Sequence, residues 1–442
     1  MKNMVVKETQ NEKIGKRASL AATVGTVIEF YDFFLYATAA AIIFPHIFFP
    51  ESSTYLGTLQ SFGTLAIGFL ARPFGAIIFG HLGDRIGRKS TLVYTILLMG
   101  ISSFAIGLLP SYEIIGVWAP TLLIFLRFVQ GVGVGGEWGG SILLSMEWGK
   151  KKNQALKGSW PQMGVAIGLL LASLVFSLVT YISGDGLYTW GWRIPFLLSA
   201  LLLVIAYVIR IKIPETPKFE TALSKSTISR YPIFEVLKKH PKEVILTAFI
   251  RMSENGPFYV YTVLMMNYAL ENFQFNKQSL LNINSFASIF MIFSIPLFGY
   301  LADRYGIKRI YLLGVFITFL WAIPYIILVD SGNYLIILSA TLIAMIPHSM
   351  QVGPQGAFVA NNFPTHLRYS GVSLGSQIGA ILSGGIAPLI CTILLHEIGS
   401  IYAISGYIIL TAIITFSAAL ILKDSNEKGD IKFSDNEKLI KA

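Results

Sequence analysis

Seven charged side chains stand inside long apolar stretches of this 442-residue sequence, and together they could bind a small ion and a proton. A charge at the centre of a lipid bilayer costs about 2.5–3.5 kcal/mol on insertion scales, so it usually faces a cavity or a partner. The charges of four acids and three bases nearly cancel. This balance predicts that most of them are paired and that the remaining charge varies with a bound proton or substrate anion. The seven residues are Glu29, Asp32, Arg72, Arg127, Glu137, Arg251 and Glu254.

The spacing places two pairs of these charges on shared helix faces. Glu29 and Asp32 are three residues apart in the first apolar stretch. Arg251 and Glu254 have the same spacing in the seventh. Residues three or four apart are neighbours on the surface of a helix. Burial raises the pKa of a carboxyl group and a nearby cation lowers it, so an acid in such a group can exchange a proton when its partner changes.

The fourth apolar stretch carries a polar stripe formed by Arg127, Gln130 and Glu137. At 100° per residue the three side chains lie on one side of a helix, which predicts that they line a cavity. Arginine suits a carboxylate ligand because its planar fork donates two parallel hydrogen bonds. Glu137 lies nearer the end of the stretch, and a structural ion pair and a functional role are both open for it.

These observations predict one group of residues for the substrate and one for the proton. The residues predicted to bind the substrate are Arg127, Arg251, Gln130, Tyr31, Tyr36, Gln351 and Gln355. The residues predicted to couple protons are Asp32, Glu29, Glu137 and Glu254. The remaining cation, Arg72, is either a further substrate contact or a structural brace near Arg85.

The tenth apolar stretch is expected to be broken. Pro347 and Pro354 lie on either side of Gln351, close to His348 and Gln355. Proline removes a helical hydrogen bond, and an irregular backbone at membrane depth is tolerated where it lines a cavity. The pattern predicts a broken helix beside the substrate.

The elements that carry these residues are membrane-spanning helices. Hydrophobic residues make up 54% of the chain and charged residues 13%, about half of what soluble domains contain. A spanning helix needs about 20 apolar residues, and the stretches do not alternate as the strands of a barrel do. The twelve stretches lie near residues 20–44, 57–82, 91–109, 115–143, 160–182, 190–210, 244–270, 279–302, 310–329, 334–356, 371–395 and 400–422.

The cations predict the orientation. Of the 34 Lys and Arg, only Arg193 and Lys277 fall outside if both termini are cytoplasmic, and Arg72, Arg127 and Arg251 lie within spans. The remaining 29 are cytoplasmic, as the positive-inside rule requires. The predicted parts are a cytoplasmic segment (1–19), an N-terminal six-helix bundle (20–210), a cytoplasmic linker (211–243), a C-terminal six-helix bundle (244–422) and a cytoplasmic tail (423–442). No signal peptide with a cleavage site is expected.

A loop between the second and third stretches recurs in the second half of the chain. Gly80-His81-Leu82-Gly83-Asp84-Arg85-Ile86-Gly87-Arg88-Lys89 returns 219 residues later as Gly299-Tyr300-Leu301-Ala302-Asp303-Arg304-Tyr305-Gly306. A half-length repeat in a membrane protein indicates two related bundles and alternating access. The loops are predicted to form a conformational latch made of Gly80, Asp84, Arg85, Gly87, Arg88, Asp303 and Arg304.

Motifs of soluble catalysis are missing from the sequence. It contains no GxxxxGK[ST] loop, no HExxH and no nucleophile elbow, so we expect neither an enzyme nor a cofactor or metal. The single Cys391 excludes a disulfide framework. The net charge of +10 reflects topology rather than nucleic-acid binding. The expected partners are a small carboxylate or zwitterion, protons and the lipid bilayer, and the expected state is a monomer.

Several of these segments resemble a known family. The Asp84–Lys89 loop is similar to the signature loop of the major facilitator superfamily, although Ile307 replaces Arg88 in its second copy. Four segments resemble the metabolite:proton symporters of that superfamily, which include carriers of citrate, α-ketoglutarate, shikimate and proline or betaine. The segments are Gly25–Phe33, Phe69–Gly75, Arg127–Gly131 with Gly135–Trp138, and Pro214–Phe219. Pro214–Pro217 also resembles the corresponding segment of sugar porters.

The resemblance implies an all-α membrane protein with twelve helices in two pseudo-symmetric bundles that takes up a solute with protons. In this hypothesis Arg127, with a second contribution from Arg251, attracts a carboxylate, and Asp32 or Glu29 carries the proton. Loading of substrate and proton is then linked. A sugar or drug carrier on the same fold and a solute receptor without transport remain alternatives.

The orientation can be tested with single cysteines introduced into the chain after Cys391 has been replaced. Cysteines at Ser226 and Ser425 are expected to react with a membrane-impermeant maleimide only in inverted vesicles, and one at Asp185 only in intact cells. The positive-inside distribution of the cations is the physical reason. Labelling of Ser226→Cys in intact cells would overturn the orientation.

Overall fold

The computed structural model of the chain describes residues 2–86, 88–147, 153–212, 232–273, 275–364 and 367–423. Within these ranges helices are joined by short turns, and no strand is present. The helices of the N-terminal half are α1 (Lys2–Ile42), α2 (Phe44–Phe48), α3 (Thr54–Ile86), α4 (Arg88–Leu108), α5 (Tyr112–Ile115), α6 (Trp118–Gly135), α7 (Trp138–Glu147), α8 (Gln154–Ser183) and α9 (Arg193–Ile211), with a 3₁₀ turn at Gly184–Tyr188.

The described residues of the C-terminal half form ten further helices and two π-helical turns. They are α10 (Pro232–Lys239), α11 (Pro241–Ile250), α12 (Met252–Tyr259), a π turn (Val260–Leu264), α13 (Met265–Phe273), α14 (Lys277–Tyr305), α15 (Ile307–Asp330), α16 (Tyr334–Ala360), α17 (Arg368–Ala380), a π turn (Ile381–Gly385), α18 (Ala387–Ile398) and α19 (Tyr402–Ile421). Helix α10 falls within the predicted linker, most of which lies outside the described residues, as does nearly all of the predicted tail.

The described helices form twelve spans. Eleven segments are long and apolar enough to cross a bilayer. The remaining span is the seventh, which is divided among α11, α12, a π turn and α13. The other spans, in chain order, are α1, α3, α4, α6 with α7, α8, α9, then α14, α15, α16, α17 with α18, and α19. The prediction of an all-α fold with twelve spans is confirmed, and α1 begins well before the predicted start of the first span.

The predicted break in the tenth span is wrong. Helix α16 runs without interruption through Pro347 and Pro354. Its neighbours pack tightly on it: a Cβ atom on Gly353 would collide with the backbone of the eighth span, and Gly314 of the ninth lies against Pro347. Such packing supports prolines inside spanning helices. The breaks occur instead in the fourth, seventh and eleventh spans.

Two pairs of spans join the bundles. The fifth span packs along the eighth, and the second packs along the eleventh. Two pairs of glycines spaced four residues apart face neighbours in their own bundle: Gly164 and Gly168 lie against the first span, and Gly375 and Gly379 against the seventh. Both halves therefore use the same arrangement. Because the spans are even in number, both chain ends lie on one side, which we call the terminal face; the other side is the opposite face.

A buried ion pair holds the N-terminal bundle together where the fourth span is broken. Glu137 lies between α6 and α7, is fully buried and pairs with both Nη atoms of Arg210 in the sixth span. Thr95 of the third span donates to Glu137 Oε2 at 2.9 Å, and Arg210 Nη1 donates to the carbonyl of Leu92 at 2.7 Å. Gly25 leaves room for the guanidinium, with which a Cβ atom would collide. Arg210, the last residue of the predicted N-terminal bundle and counted from the sequence among the cytoplasmic cations, is a buried structural residue.

Replacement of either partner is expected to destabilise the protein. Glu137→Gln or Arg210→Gln leaves a buried charge unpaired, which costs about 3–5 kcal/mol, whereas the apolar double variant Glu137→Leu/Arg210→Met removes both charges. Thermal unfolding in detergent should show a much lower midpoint for each single variant and a partial recovery for the double. An unchanged midpoint in the single variants would contradict a structural role of the pair.

Candidate functional site

Five of the predicted site residues meet around one cavity in the N-terminal bundle. We call Glu29, Asp32, Arg72, Arg127 and Gln130 the charged cluster; all five are buried and line a cavity of about 10 Å³. They come from the first, second and fourth spans. A cavity of this size has room for roughly one water molecule. The structure thus brings together residues that are up to 101 positions apart in the sequence.

Glycines allow the second and fourth spans to approach closely enough to form the cluster. A Cβ atom on Gly131 would collide with the carbonyl oxygen of Gly68, and one on Gly135 with that of Arg72. A Cβ atom on Gly68 would overlap the guanidinium of Arg127. Small residues at such contacts let helix backbones touch in a membrane. The glycines therefore fix the position of both arginines.

Two serines from neighbouring spans hold part of the cluster. Arg127 Nη1 donates to Gln130 Oε1 at 2.5 Å, and Gln130 Nε2 donates to Ser103 Oγ of the third span at 2.6 Å. Ser199 Oγ of the sixth span donates to Asp32 Oδ1 at 2.5 Å. Both serines were missed in the sequence, because a serine in an apolar helix carries no signal of which side chain it meets.

The four charges of the cluster are not paired with one another. Among the described residues, no ion pair within 4.0 Å joins Arg72 or Arg127 to an acid. Four buried polar atoms of the cluster have no hydrogen-bond partner among the described residues: Glu29 Oε2, Asp32 Oδ2, Arg72 Nε and Arg127 Nε. An unsatisfied buried group costs about 1–3 kcal/mol, and more when it is charged. Buried charges without partners can take up a proton or bind an anion.

Aromatic rings cover the two arginines. The Arg127 guanidinium carbon lies 4.1 Å from the ring centroid of Tyr36, and that of Arg72 lies 4.1 Å from the centroid of Phe69. Both carbons lie 5.2 Å from the ring of Phe33, which therefore stands between them. A cation over an aromatic face gains about 0.5–2 kcal/mol, most when it is desolvated. The rings stabilise the guanidinium groups without neutralising them.

The other predicted charges are paired elsewhere. Arg251 forms an ion pair of 2.9 Å with Glu254 on its own span, and its guanidinium carbon lies 4.4 Å from the ring of Trp138 in the N-terminal bundle. Neither residue lines the cavity of the charged cluster. Glu137 belongs to the structural pair with Arg210. None of these three residues is among those that line the cavity beside Asp32 and Glu29.

The remaining predicted contacts are divided between the bundles. Tyr31 donates to the carbonyl of Pro195 at 2.9 Å, inside the N-terminal bundle. Tyr36 donates to Thr64 Oγ1 at 2.6 Å and keeps its ring face for Arg127. Gln351 donates to Thr318 at 2.9 Å within the C-terminal bundle. Gln355 crosses between the bundles and accepts a hydrogen bond of 3.4 Å from Gln162.

The bundles are joined on the terminal face at the break of the fourth span. The carbonyl of Gly136 accepts a hydrogen bond from Tyr369 at 3.0 Å, and that of Gly135 accepts one from Gln377 at 3.4 Å. Both donors lie on the eleventh span. Interruption of a helix leaves carbonyl groups without intrahelical partners, so the break supplies acceptors to the other bundle. Neither donor was predicted as a contact between the bundles.

Asp303, which was predicted to belong to a conformational latch, makes a second contact on this face. Its two carboxylate oxygens accept hydrogen bonds of 2.9 Å from the backbone N–H groups of Ala155 and Leu156, at the N-terminus of the fifth span. A carboxylate at this end of a helix is favoured by the unpaired N–H groups and the helix dipole. Arg304 is exposed beside Tyr305. All of Gly87, the surroundings of Gly80, and the side chains of Asp84, Arg85 and Arg88 lie outside what the structure describes.

Contacts between the bundles also occur on the opposite face. Tyr55 at the start of the second span stacks on His396 at the end of the eleventh, with ring centroids 3.8 Å apart. Gln278 of the eighth span donates to Ser177 of the fifth. The charged cluster therefore lies between contacts of the two bundles on the terminal face and on the opposite face.

Comparisons with known proteins agree with this architecture. The sequence profile described as Major Facilitator Superfamily matches residues 22–375. The chain is 37% identical to the "Shikimate transporter" of Escherichia coli (strain K12) over 415 residues, which cover 93% of this chain and 95% of that protein. It is 38% identical to the "Inner membrane metabolite transport protein YhjE" of the same strain over 415 residues, 92% and 94% of the two chains.

A solved structure supports the fold in particular. The proton:xylose symporter XylE, bound to 6-bromo-6-deoxy-D-glucose, superposes with a TM-score of 0.73 at 15% identity, over 94% of this chain and 97% of that one. At this identity the likeness concerns the fold alone. The family match and the two relatives also establish the class of protein and its location. The chain belongs to the Major Facilitator Superfamily, in its family of metabolite transporters, and it is a multi-pass protein of the cell membrane rather than an enzyme.

Proposed function

We propose that this metabolite transporter is a proton-coupled symporter that imports a small organic acid or a zwitterion by alternating access. The observation that carries the proposal is the charged cluster, in which two arginines and two carboxylates share one cavity without forming an ion pair. Charges are costly at membrane depth, so such a group is retained for a ligand and an exchangeable proton. The relative named as a shikimate transporter supports a carboxylate as the substrate class.

Arg127 and Arg72 are the proposed anion-binding groups. Each has an Nε atom without a partner and a guanidinium face covered by an aromatic ring. A carboxylate supplies acceptors in the plane of the guanidinium, where the rings supply none. Arg72, left open between a brace and a substrate contact, is proposed as a contact because it lines the cavity. Arg251 is proposed to act at the contact with Trp138 instead.

Asp32 and Glu29 are the proposed proton carriers. Each has one carboxylate oxygen buried without a hydrogen-bond partner, beside cations that a substrate anion would occupy. When the anion takes Arg127, the attraction that keeps the acid ionised weakens and its proton affinity rises. Substrate and proton then favour each other's binding, and this reciprocity is the thermodynamic condition for symport. Glu137 and Glu254 are ion-paired and are not proposed as carriers.

Alternating access is proposed to break one set of contacts between the bundles at a time. On the terminal face these are the hydrogen bonds of Tyr369 and Gln377 to the fourth span and the Asp303 contact at the fifth. On the opposite face the Tyr55–His396 stack performs the same role. With both termini in the cytoplasm, the opposite face opens to the outside and loads the solute and the proton.

Neutralisation of the proposed proton carrier should separate binding from accumulation. Asp32→Asn is expected to abolish substrate accumulation driven by an imposed pH gradient in proteoliposomes, while downhill counterflow of the same substrate persists. The amide cannot exchange a proton in this range but still accepts the Ser199 hydrogen bond. The matched control is Asp185→Asn, at an exposed position of the 3₁₀ turn. Normal gradient-driven accumulation in both Asp32→Asn and Glu29→Gln would remove these acids from the proton path.

A charge-conserving change should test the proposed anion site. Arg127→Lys keeps the charge and loses the planar fork, so carboxylate affinity should weaken by about 1–3 kcal/mol, the range for hydrogen bonds to charged groups. Binding to the purified protein is measured by calorimetry, with the exposed Arg309→Lys as control. Unchanged affinity, or a best substrate that is an uncharged sugar bound equally well by the variant, would contradict the organic-acid assignment.

A further inference from the structure

Tyr259 brings a phenol from the C-terminal bundle to the edge of the charged cluster. It is the last residue of α12 and is followed directly by the π turn of the seventh span. Its side chain is 3% exposed. The ring meets Phe33 and Phe69 edge to face, with centroids 5.6 Å and 5.9 Å apart. Both phenylalanines belong to the N-terminal bundle, so Tyr259 crosses between the two halves of the protein.

The two phenylalanine rings that Tyr259 contacts in the N-terminal bundle are also rings against which the arginines lie. The Arg72 guanidinium covers Phe69, and both Arg72 and Arg127 approach Phe33. Tyr259 is therefore separated from each guanidinium group by one phenylalanine ring. Within the described part of the chain its hydroxyl donates no hydrogen bond, although neighbouring polar side chains such as Thr262 and Asn284 do.

The eleventh span fixes this position. Gly384 lies in the second π turn, and a Cβ atom there would collide with the Tyr259 ring and approach Phe69. The adjacent Gly385 would likewise meet Phe69. The π turns of the seventh and eleventh spans therefore form the space that admits the tyrosine. π-helical turns are often found at functional sites.

From this geometry we propose that the Tyr259 hydroxyl donates a hydrogen bond to the substrate carboxylate held by Arg127 and Arg72. The inference rests on the proposed function and deepens it, because it names the contact by which the C-terminal bundle recognises the anion. A phenol is a donor that an anion accepts strongly, and an uncharged amide or ester in the same place accepts more weakly. Tyr259 is thus a specificity-determining residue that links substrate binding to the approach of the bundles.

The experiment compares Tyr259→Phe with Tyr261→Phe. Tyr259→Phe removes one oxygen and keeps the ring that packs on Phe33 and Phe69. Tyr261 is a matched control because it is also buried, its hydroxyl has no hydrogen-bond partner, and its ring packs on Tyr325 with centroids 4.5 Å apart. The probes are shikimate, proline and glycine betaine, together with shikimate methyl ester and prolinamide as analogues without a carboxylate. Binding and uptake are measured with protein that is monodisperse in detergent.

We expect Tyr259→Phe to weaken binding of the best acid by about tenfold and to leave the analogue without a carboxylate unchanged, because only the hydrogen bond to the anion is lost. The loss should be smaller in an Arg127→Lys background, since both residues contact the same group. Tyr261→Phe should bind as the wild type does. Equal losses for acid and analogue, or no loss at all, would overturn the role of Tyr259.

The wild-type protein distinguishes this inference from the proposed function. If it accumulates one of the three acids under a pH gradient while Tyr259→Phe retains full affinity, the symport proposal stands and the Tyr259 contact fails. If it binds none of the three acids or accumulates none under the gradient, the proposed function fails, and the contact that rests on it fails as well.

Discussion

Charge buried in an apolar bundle is the constraint on which the rest of this structure depends. The protein accommodates buried charge in two ways. Glu137 with Arg210, and Arg251 with Glu254, form ion pairs that need nothing further. The charges of the charged cluster are not paired in this way. Its arginines lie against aromatic rings, and each of its acids keeps one carboxylate oxygen without a hydrogen-bond partner among the described residues. Paired charges stabilise a fold, and unpaired ones at this depth leave a position that a ligand and a proton can fill.

The sequence was sufficient to predict the fold class because its signals are long and repeated. Twelve apolar stretches and a loop that returns after 219 residues do not depend on any single contact. Glu29 and Asp32, and likewise Arg127 and Gln130, have helical spacing and line one cavity, whereas Glu137, predicted in the same polar stripe, does not line it. Local breaks were not predictable in the same way. Proline at 347 and 354 suggested a break that packing against the eighth and ninth spans prevents.

The pairing of charges was the least predictable property of the site. Arg251 and Arg127 look alike in sequence, each with an acid or amide three residues on, yet one is in an ion pair and the other is not. The residue three positions on makes the difference, because the Glu254 carboxylate can form an ion pair with Arg251 whereas the Gln130 amide accepts a hydrogen bond from Arg127 without neutralising it. Arg210, near the end of an apolar stretch, could equally well have faced the cytoplasm. Ser103, Ser199 and Tyr369 acquire their roles only through contacts between different spans.

The two halves share a repeat but divide the tasks of a transporter unequally. The N-terminal bundle holds the charged cluster on the first and second spans and on the part of the fourth span that precedes its break. The C-terminal bundle contributes the interrupted seventh and eleventh spans, and both interruptions lie against Phe69 or its neighbour Tyr259. The binding site is rigid, and the segments that face it have irregular hydrogen bonding. This arrangement favours local bending in the C-terminal bundle. The aromatic contacts of Phe33, Phe69 and Tyr259 lie beside these segments. Bending there would therefore move the rings that lie against the arginines.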